Sequence, residues 1–237
     1  MDFLNAEWRK LAFANYIIDK DVLKDYIPYG TELDLWQGHC YISLVGMMFK
    51  NTKILGLKIP NHVDFEEVNL RFYVKKSDDG HKRRGVVFIK EIVPKGAITF
   101  VAKNLYQENY ETMKMSHTWK DSDHNRHIEY RWGKSKMDNV LSVTAGRDSH
   151  QIKQNSETEF ILENYLGFAK VNNQKTNQYI VKHPRWHLYN VEDFDVNVNF
   201  GSIYGPSFEF LSKLKPHSVL LVEGSEVAIE HKKTLKS

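Results

Sequence analysis

The segment from Phe65 to Val74 alternates two kinds of side chain, and this alternation constrains the fold more than any other feature of the sequence. Successive side chains of a β-strand point to opposite faces of the sheet. One face of the predicted strand is apolar and carries Val68, Leu70, Phe72 and Val74. The other face is mainly polar and carries Phe65, Glu67, Asn69, Arg71 and Tyr73. The segment therefore predicts a strand that packs one face on a core and presents a row of polar groups on the other.

This polar face has two interpretations. An antiparallel sheet often leaves one face in water, where charged side chains are usually found. Alternatively, the face lines a cavity, and Glu67, Arg71 and Tyr73 form a hydrogen-bonding site for a small polar molecule. Same-face neighbours on a strand are about 6.8 Å apart. Glu67 and Arg71, two such steps apart, are therefore too distant for a tight pair unless the arginine folds back, so Asn69 or a ligand would bridge them.

The rest of the chain reads as short strands divided by turns. Further strands are predicted at 39–49, 85–93, 97–103, 127–132, 140–145, 179–183, 185–191 and 219–229. Turns are predicted at Ser77-Asp78-Asp79-Gly80, Pro94-Lys95-Gly96 and Gly133-Lys134. Such a pattern favours a barrel or a sandwich. The sequence contains no repeat or linker, and 41% of its residues are apolar, enough for one core. We therefore expect a single domain over residues 1–237.

Helices are predicted in three places. Residues 5–27 look partly helical, because apolar residues recur at helical spacing from Val22 until Pro28 ends the segment. A second helix is expected after the strand at 97–103, where three side chains share one helical face, namely Tyr106, Tyr110 and Met113. The run Ser156-Glu157-Thr158-Glu159 is a capping box, which starts a third helix.

Charge and composition argue against several classes of partner. The 33 basic and 30 acidic residues nearly balance, so the chain has no global field that would attract nucleic acid or an anionic membrane. No window approaches the ~20 apolar residues of a membrane span, and the first residues do not form a secretory signal. We expect a cytoplasmic protein without nucleic-acid or membrane partners. The single cysteine, Cys40, lies in an apolar run and is expected to be a buried small side chain.

Histidines do not predict a metal site. His124 and His127 have the spacing of metal ligands, but a zinc site needs three or four ligands held in geometry. Their segment is polar and is predicted to be a solvated loop. No Gly-rich phosphate loop occurs. We expect neither a metal nor another cofactor.

The strand motif also resembles a known signature. Phe65-x-Glu67-x-Asn69-x-Arg71-x-Tyr73-Val74 is similar to that of the YqjF-like bacterial proteins, a family of unknown function. Other matching pieces follow in the same order as in that family, namely Trp36-x-Gly38, Tyr41-x-Ser43-Leu44-Val45-Gly46, Gly85-Val86-Val87-Phe88, Phe160-Ile161-Leu162-Glu163-Asn164-Tyr165, His183-Pro184-Arg185-Trp186 and Glu223-Gly224-Ser225-Glu226-Val227. The resemblance covers nearly the whole chain. It implies the fold of acetoacetate decarboxylase: a mostly β (α+β) protein, with a closed β-barrel, a few helices packed outside and an interior cavity.

The resemblance does not include the catalytic lysine of the decarboxylases. Acetoacetate decarboxylases use a lysine of lowered pKa to form a Schiff base with a β-keto acid. Glu67 matches a glutamate that helps to shape their site. Tyr110 and Glu111, however, stand where the lysine pair would be, and Asn109 replaces the preceding proline. The resemblance therefore does not extend to the Schiff-base mechanism.

Three functions remain open. The first is a small-molecule binder, or an enzyme without a Schiff base, that takes a small polar or anionic ligand. Its pocket residues would be Glu67, Asn69, Arg71, Tyr73 and Tyr110. Arg71 suits an anionic or carbonyl oxygen, and Glu67 could orient a ligand or act as a base.

The second function is a lyase that uses another lysine, Lys90 or Lys103, each of which alternates with apolar residues of a predicted strand. The third is a structural or interaction module in which the polar row is a buried network. The first predicts a cavity, the second an inward lysine, and the third polar groups satisfied by the protein itself. Catalysis, ligand identity and homo-oligomerisation stay open.

Overall fold

The computed structural model describes residues 2–78, 81–105 and 107–236, and most of these residues lie in strands. The fourteen strands of the described residues are β1 (Asp2–Ile18), β2 (Glu32–Leu33), β3 (Cys40–Ile54), β4 (Phe65–Asp78), β5 (His81–Val93), β6 (Tyr110–Thr112), β7 (Lys114–Asp121), β8 (Asn125–Gly133), β9 (Asn139–Gln151), β10 (Leu166–Asn172), β11 (Lys175–Lys182), β12 (His187–Asn197), β13 (Ser218–Glu230) and β14 (Lys233–Lys236). The mostly β prediction is confirmed. The centre of the predicted turn, Asp79-Gly80, and the predicted helical residue Tyr106 lie outside the described residues.

The helices are short. They are α1 (Gly96–Leu105), α2 (Glu157–Leu162) and α3 (Phe200–Tyr204), with 3-10 helices at Lys20–Tyr26 and Pro206–Lys213. The capping box is confirmed at its first residue, because Ser156 Oγ accepts a hydrogen bond from the Glu159 amide at 3.2 Å. None of the helices in the described ranges has the length and apolarity needed to cross a membrane.

Strand pairing runs in a ring. β3 pairs with β1 and β4, and β4 pairs with β5, all antiparallel. β5 pairs with β10 in parallel through Val86 and Gly167, and β10 pairs with β11. β11 pairs with β13 through Val181 and Ile229, and β13 pairs with β1. The pairings thus return to their start through β1, β3, β4, β5, β10, β11 and β13, while β12, β9, β8 and β7 extend the sheet from β13.

Both faces of β4 are buried. The apolar face is confirmed as core, because Val68, Leu70, Phe72 and Val74 are each 0% exposed. On the polar face, Glu67 is 2% exposed, Asn69 is 0% exposed and Arg71 is 7% exposed. The interpretation that places this face in water is therefore wrong.

Two local predictions are also wrong. Residues 5–18 belong to β1 and not to a helix, so only 20–26 of the predicted helical segment is helical. Residues 5–18 pair with both β3 and β13, and this pairing makes them a strand; the helical spacing that the sequence shows begins only at Val22. The second error is an exchange of helix and strand at 97–113. Residues 97–103 lie in α1, whereas Tyr110 lies in β6, beside Glu91 of β5.

Candidate functional site

A cavity of about 160 Å³ lies against the polar face of β4. Its lining extends from the buried side chains of Glu67, Arg71 and Glu91 to the exposed residues Ile59 and Ala97. The cavity therefore opens between the loop that follows β3 and the start of α1. A cavity of ~150 Å³ can hold a molecule the size of benzene. The site thus has room for one small ring or a short chain.

Three carboxyl groups from separate segments meet in this cavity. Glu67 comes from β4, Glu91 from β5, and Glu108 from the segment between α1 and β6. Strand register explains part of this convergence, because Glu91 pairs with Asn69 of β4 on one side and with Tyr110 of β6 on the other. Neighbouring strands therefore present their acidic side chains to the same space.

A β-bulge places Glu91 in the cavity. In the register of β4 and β5, Arg71 pairs with Phe88 and Leu70 pairs with Lys90, so Ile89 is the extra residue. A bulge shifts the alternation of side chains by one position. Val86 and Phe88 before the bulge line the cavity, and so does Glu91 after it.

The acids accept hydrogen bonds from neutral groups. The Asn69 amide donates to Glu67 Oε1 at 3.0 Å, and the Tyr110 hydroxyl donates to Glu67 Oε2 at 3.3 Å. The Tyr179 hydroxyl donates to Glu108 Oε1. Glu91 Oε2 has no hydrogen-bond partner among the described residues.

A glycine allows Tyr179 to approach Glu108. Tyr179 of β11 pairs with Gly167 of β10, and a Cβ on Gly167 would overlap the tyrosine ring. The bare backbone at Gly167 therefore leaves room for the ring, whose hydroxyl group reaches Glu108.

Burial keeps these acids partly protonated near neutral pH. Burial, supplemented by the charge of Glu108, raises the pKa of Glu67 to about 7 against the hydrogen bonds that it accepts. Burial likewise raises the pKa of Glu108 to about 7. The pKa of Glu91 lies well above its usual range, because it is buried and faces both other carboxyl groups. Like charges in one cavity disfavour each other's ionised form, so the cluster can both hold and release protons at pH 7.

Arg71 is the cation of the cavity wall. Its Nη2 donates to the Ile161 carbonyl at 3.2 Å, and its guanidinium carbon lies 5.1 Å from the centre of the Phe13 ring. Its Nε has no partner in the described ranges. Glu67 and Arg71 form no ion pair at 4.0 Å or less, as their spacing on the strand predicted. Asn69 bonds to Glu67 without a hydrogen bond to Arg71, so it does not bridge the two.

Asn164 adds a further acceptor. Its Nδ2 donates to the carbonyls of Phe160 and Ile161 at 2.9 and 3.1 Å. Because carbonyl oxygens only accept, these bonds fix the orientation of the amide. Asn164 is 8% exposed and lines the cavity, and its Oδ1 is without a partner in the described part of the chain.

The remaining wall is largely apolar. Phe49 and Phe65 stack with ring centres 4.7 Å apart, and Trp8 meets Phe49 edge to face at 5.8 Å. Ile98 and Val101 of α1 cover the opposite side. The cavity therefore combines an apolar wall with a polar end, the usual composition of small-molecule sites.

The structure brings together only part of the predicted set. Glu67, Arg71 and Tyr110 line the cavity, and Asn69 contacts it through Glu67. Tyr73 is outside the lining, and its hydroxyl group bonds to Ser43 Oγ at 2.7 Å. Sequence reasoning missed four residues, namely Glu91, Glu108, Asn164 and Tyr179. Glu91 could have been found as an acidic residue within the apolar strand predicted at 85–93. Asn164 belongs to the family motif Phe160-Ile161-Leu162-Glu163-Asn164-Tyr165.

Neither lysine weighed as a nucleophile is among the lining residues. The bulge turns Lys90 away, and its Nζ bonds to Glu111 Oε2 at 2.7 Å and to the Ile203 carbonyl. Lys103 is exposed on α1 and not on a strand. Within the described ranges, the cavity wall contains no lysine at all.

Sequence comparison places the chain among proteins of unknown function. Residues 5–226 match the family designated DUF2071 and described as an uncharacterized conserved protein. A stretch of 72 residues is 33% identical to the uncharacterized protein YqjF of Bacillus subtilis (strain 168). That match spans 30% of this chain and 30% of the relative's own length.

Solved structures with the same fold are acetoacetate decarboxylase-like. The acetoacetate decarboxylase of Legionella pneumophila is similar with a TM-score of 0.65 at 12% identity, over 98% of this chain and 86% of that one. The enduracididine biosynthesis enzyme MppR in complex with pyruvate gives 0.69 at 11%, over 100% and 91%. An acetoacetate decarboxylase-like enzyme of Sphingomonas wittichii RW1 gives 0.67 at 10%, over 100% and 94%. At these identities the similarity shows the fold alone, and the predicted acetoacetate decarboxylase-like fold is confirmed.

Proposed function

The chain belongs to the DUF2071 family of uncharacterized conserved proteins, and we propose that it binds a small molecule in the cavity beside β4. One observation carries this proposal. Five buried polar atoms of residues that line the cavity have no partner in the described residues, namely Trp8 Nε1, Thr52 Oγ1, Arg71 Nε, Glu91 Oε2 and Asn164 Oδ1. A buried polar atom without a hydrogen bond costs roughly 1–3 kcal/mol. A bound molecule that pairs with these atoms would recover that free energy.

The form of the protein supports an enclosed site. We infer that the ring of paired strands is a closed barrel around the cavity and that residues 1–237 form one domain. The ring joins the two ends of the chain, since β1 pairs with β13 over most of its length. MppR has a similar fold, and its structure is described as a complex with pyruvate. That precedent supports small-molecule binding in this fold and leaves the ligand of this chain open.

We infer that binding here proceeds without a Schiff base. The bulge at Ile89 sends Lys90 outward, and the tyrosine that lines the wall at position 110 offers no amine. Borohydride reduction with a panel of keto acids and aldehydes, followed by intact mass measurement, should give no stoichiometric adduct. An adduct that maps to Lys90 or Lys103 would revive the lysine-dependent alternative.

A cavity-filling variant tests the binding proposal. Ala102 of α1 lines the cavity, whereas its neighbour Lys103 is exposed. Ligand-observed NMR with cationic, neutral and anionic fragments should detect binding to the natural protein and its loss in Ala102→Phe. The matched variant Lys103→Phe adds the same side chain outside the cavity and should retain binding. If no fragment binds, or if Ala102→Phe binds them equally well, the proposal is wrong.

Acid–base catalysis is the second candidate, and the pKa values near 7 of Glu67 and Glu108 favour it. A general acid or base works best when its pKa is close to the operating pH. A bound ligand with acidic C–H bonds should then exchange those protons with D₂O faster than it does free in solution. Glu67→Gln should abolish this acceleration. An exchange rate that is the same with and without the natural protein would leave binding as the sole function of the cavity.

A further inference from the structure

We propose that the ligand carries a protonated amine or amidinium group, which binds between Glu67, Glu91 and Glu108 at the polar end of the cavity. This inference rests on the proposed function and gives its ligand a chemical class. It also departs from the anionic ligand that the Arg71 side chain alone suggested.

The balance of charge on the wall favours a cation. Among the described residues, three carboxyl groups line the cavity and one guanidinium group, that of Arg71, faces them. The hydrogen bonds that the acids accept come from an amide and two phenols, and no cation of the described residues lies within 4.0 Å of them. Buried carboxylates are normally paired with a cation. Without a cation, burial keeps these carboxyl groups partly protonated, and a cationic ligand would take the place of the protons.

Unpartnered acceptors point the same way. Glu91 Oε2 has no hydrogen-bond donor among the described residues. Asn164 Oδ1, which comes from a different segment of the chain, has none either. Asn164 is neutral, so its free acceptor is independent of the acidic cluster. An ammonium group has three N–H donors and no acceptor, which suits the free acceptors of Glu91 and Asn164; the same wall also has a free donor in Trp8 Nε1. Arg71 Nε can take one acceptor atom elsewhere on the ligand.

The rest of the cavity suits a flat apolar group. The rings of Trp8, Phe49 and Phe65 form part of its wall, and the volume of about 160 Å³ matches one aromatic ring. Aromatic faces also attract cations. Benzylamine combines a ring with an ammonium group and is therefore the probe. Benzyl alcohol and benzoate have nearly the same shape without the positive charge.

Binding should depend on pH in a defined direction. The ionisable groups that face the site are Glu67 and Arg71 of β4, Glu91 of β5, Glu108, Tyr110 of β6, Tyr179 of β11 and, at the mouth, His62. A cation stabilises the ionised carboxylates, so its binding releases protons that the cluster otherwise holds. Affinity should therefore rise as pH increases through 7.

Isothermal titration calorimetry with the full chain tests these expectations. Benzylamine should bind about tenfold or more tightly than benzyl alcohol and benzoate, and its affinity should increase severalfold from about pH 6 to about pH 8. The heat should vary with the ionisation enthalpy of the buffer, in the direction of proton release. Tighter binding of benzoate or benzyl alcohol would overturn the cationic class and leave the proposed function standing.

Charge-neutral variants locate the contact. Glu91→Gln keeps the size of the side chain and should weaken benzylamine at least tenfold; Glu67→Gln should do the same if Glu91→Gln does not fold. The matched control is Glu66→Gln. Glu66 is next to Glu67 but on the other face of β4, where its Oε1 pairs with His117 Nδ1 at 2.7 Å. Equal affinity in all variants would contradict the inference. Failure of every probe, together with failure of the fragment panel, would overturn the proposed function as well.

Discussion

The two halves of the polar face of β4 differ in how their buried polar groups are hydrogen-bonded. Around Tyr73 the polar groups bond to each other: its hydroxyl group lies 2.7 Å from Ser43 Oγ, which donates to Asn15 Oδ1 at 2.7 Å. Asn15 Nδ2 in turn donates to Ser218 Oγ at 3.1 Å. Around Arg71, two residues away on the same face and in the cavity wall, polar atoms such as Arg71 Nε remain without partners in the described residues.

Neighbouring strands cause this difference. Near Tyr73, Ser43 of β3 and Asn15 of β1 are register partners and place polar side chains within reach, and Phe160 of α2 packs 5.1 Å from the Tyr73 ring. At the other end, the register partner of Glu67 is the apolar Met47. The side chains of the described residues leave the space beyond it unfilled, and a cavity results. A polar row on a strand therefore becomes a structural network or a candidate ligand site according to what its neighbours supply.

Breaking the paired half should have the largest effect on stability. Asn15→Leu keeps the side-chain volume and removes both hydrogen bonds of the amide, which leaves buried Ser43 with Tyr73 alone and half-buried Ser218 with Glu157 alone. Unpaired buried polar groups cost about 1–3 kcal/mol each. We expect the free energy of unfolding to fall by roughly 2–4 kcal/mol in urea titrations. A loss no greater than that of a surface substitution would show that the network adds little.

A substitution in the half of the polar face that lines the cavity should change stability in the opposite direction. Glu67→Gln removes a carboxyl group whose pKa burial raises to about 7. Between its usual pKa and 7 the folded protein holds a proton that the unfolded chain has lost, so this group makes stability fall as pH rises through that window. Each pKa unit corresponds to about 1.4 kcal/mol. The variant should be more stable than the natural protein by roughly 1–3 kcal/mol at about pH 8.

The sign of this effect can be checked by its pH dependence. Near pH 5 Glu67 is protonated when folded and resembles glutamine, so the gain should shrink toward zero. Urea titrations of both proteins at about pH 5 and pH 8 measure the difference directly. A gain that is equal at both values would mean that glutamine packs better, independently of charge.

Sequence alternation predicted β4 well because its information is local. The apolar row and the inward Glu67 and Arg71 follow from a period of two along an unbroken strand. The same rule placed Lys90 beside Phe88 and failed, because the bulge at Ile89 shifts the faces and puts Glu91 there. A bulge is set by the pairing of two strands, which the residues of one strand do not specify.

Long-range contacts explain the remaining misses. Tyr179 and Glu108 are 71 residues apart, and the pairings of β11 with β10, β10 with β5 and β5 with β6 bring their segments together. The exchange of helix and strand at 97–113 has a similar origin. Ile98, Thr99 and Val101 are β-branched and favour a strand locally, yet Ile98, Val101 and Ala102 form the helical face that covers the cavity.

The two faces of β4 can be compared at adjacent residues, with the smallest expected effect. Glu66 points away from the cavity and accepts from His117; although burial works to raise its pKa, this bond and the nearby charges outweigh burial and lower it. A lowered pKa adds stability above the usual range of the carboxyl group, so Glu66→Gln should destabilise the fold. Partly exposed ion pairs contribute about 0–1 kcal/mol, which sets the expected loss. Urea titration near pH 6 should therefore give opposite signs for Glu66→Gln and Glu67→Gln, and a shared sign would show that the cavity does not set the energetics of its acids.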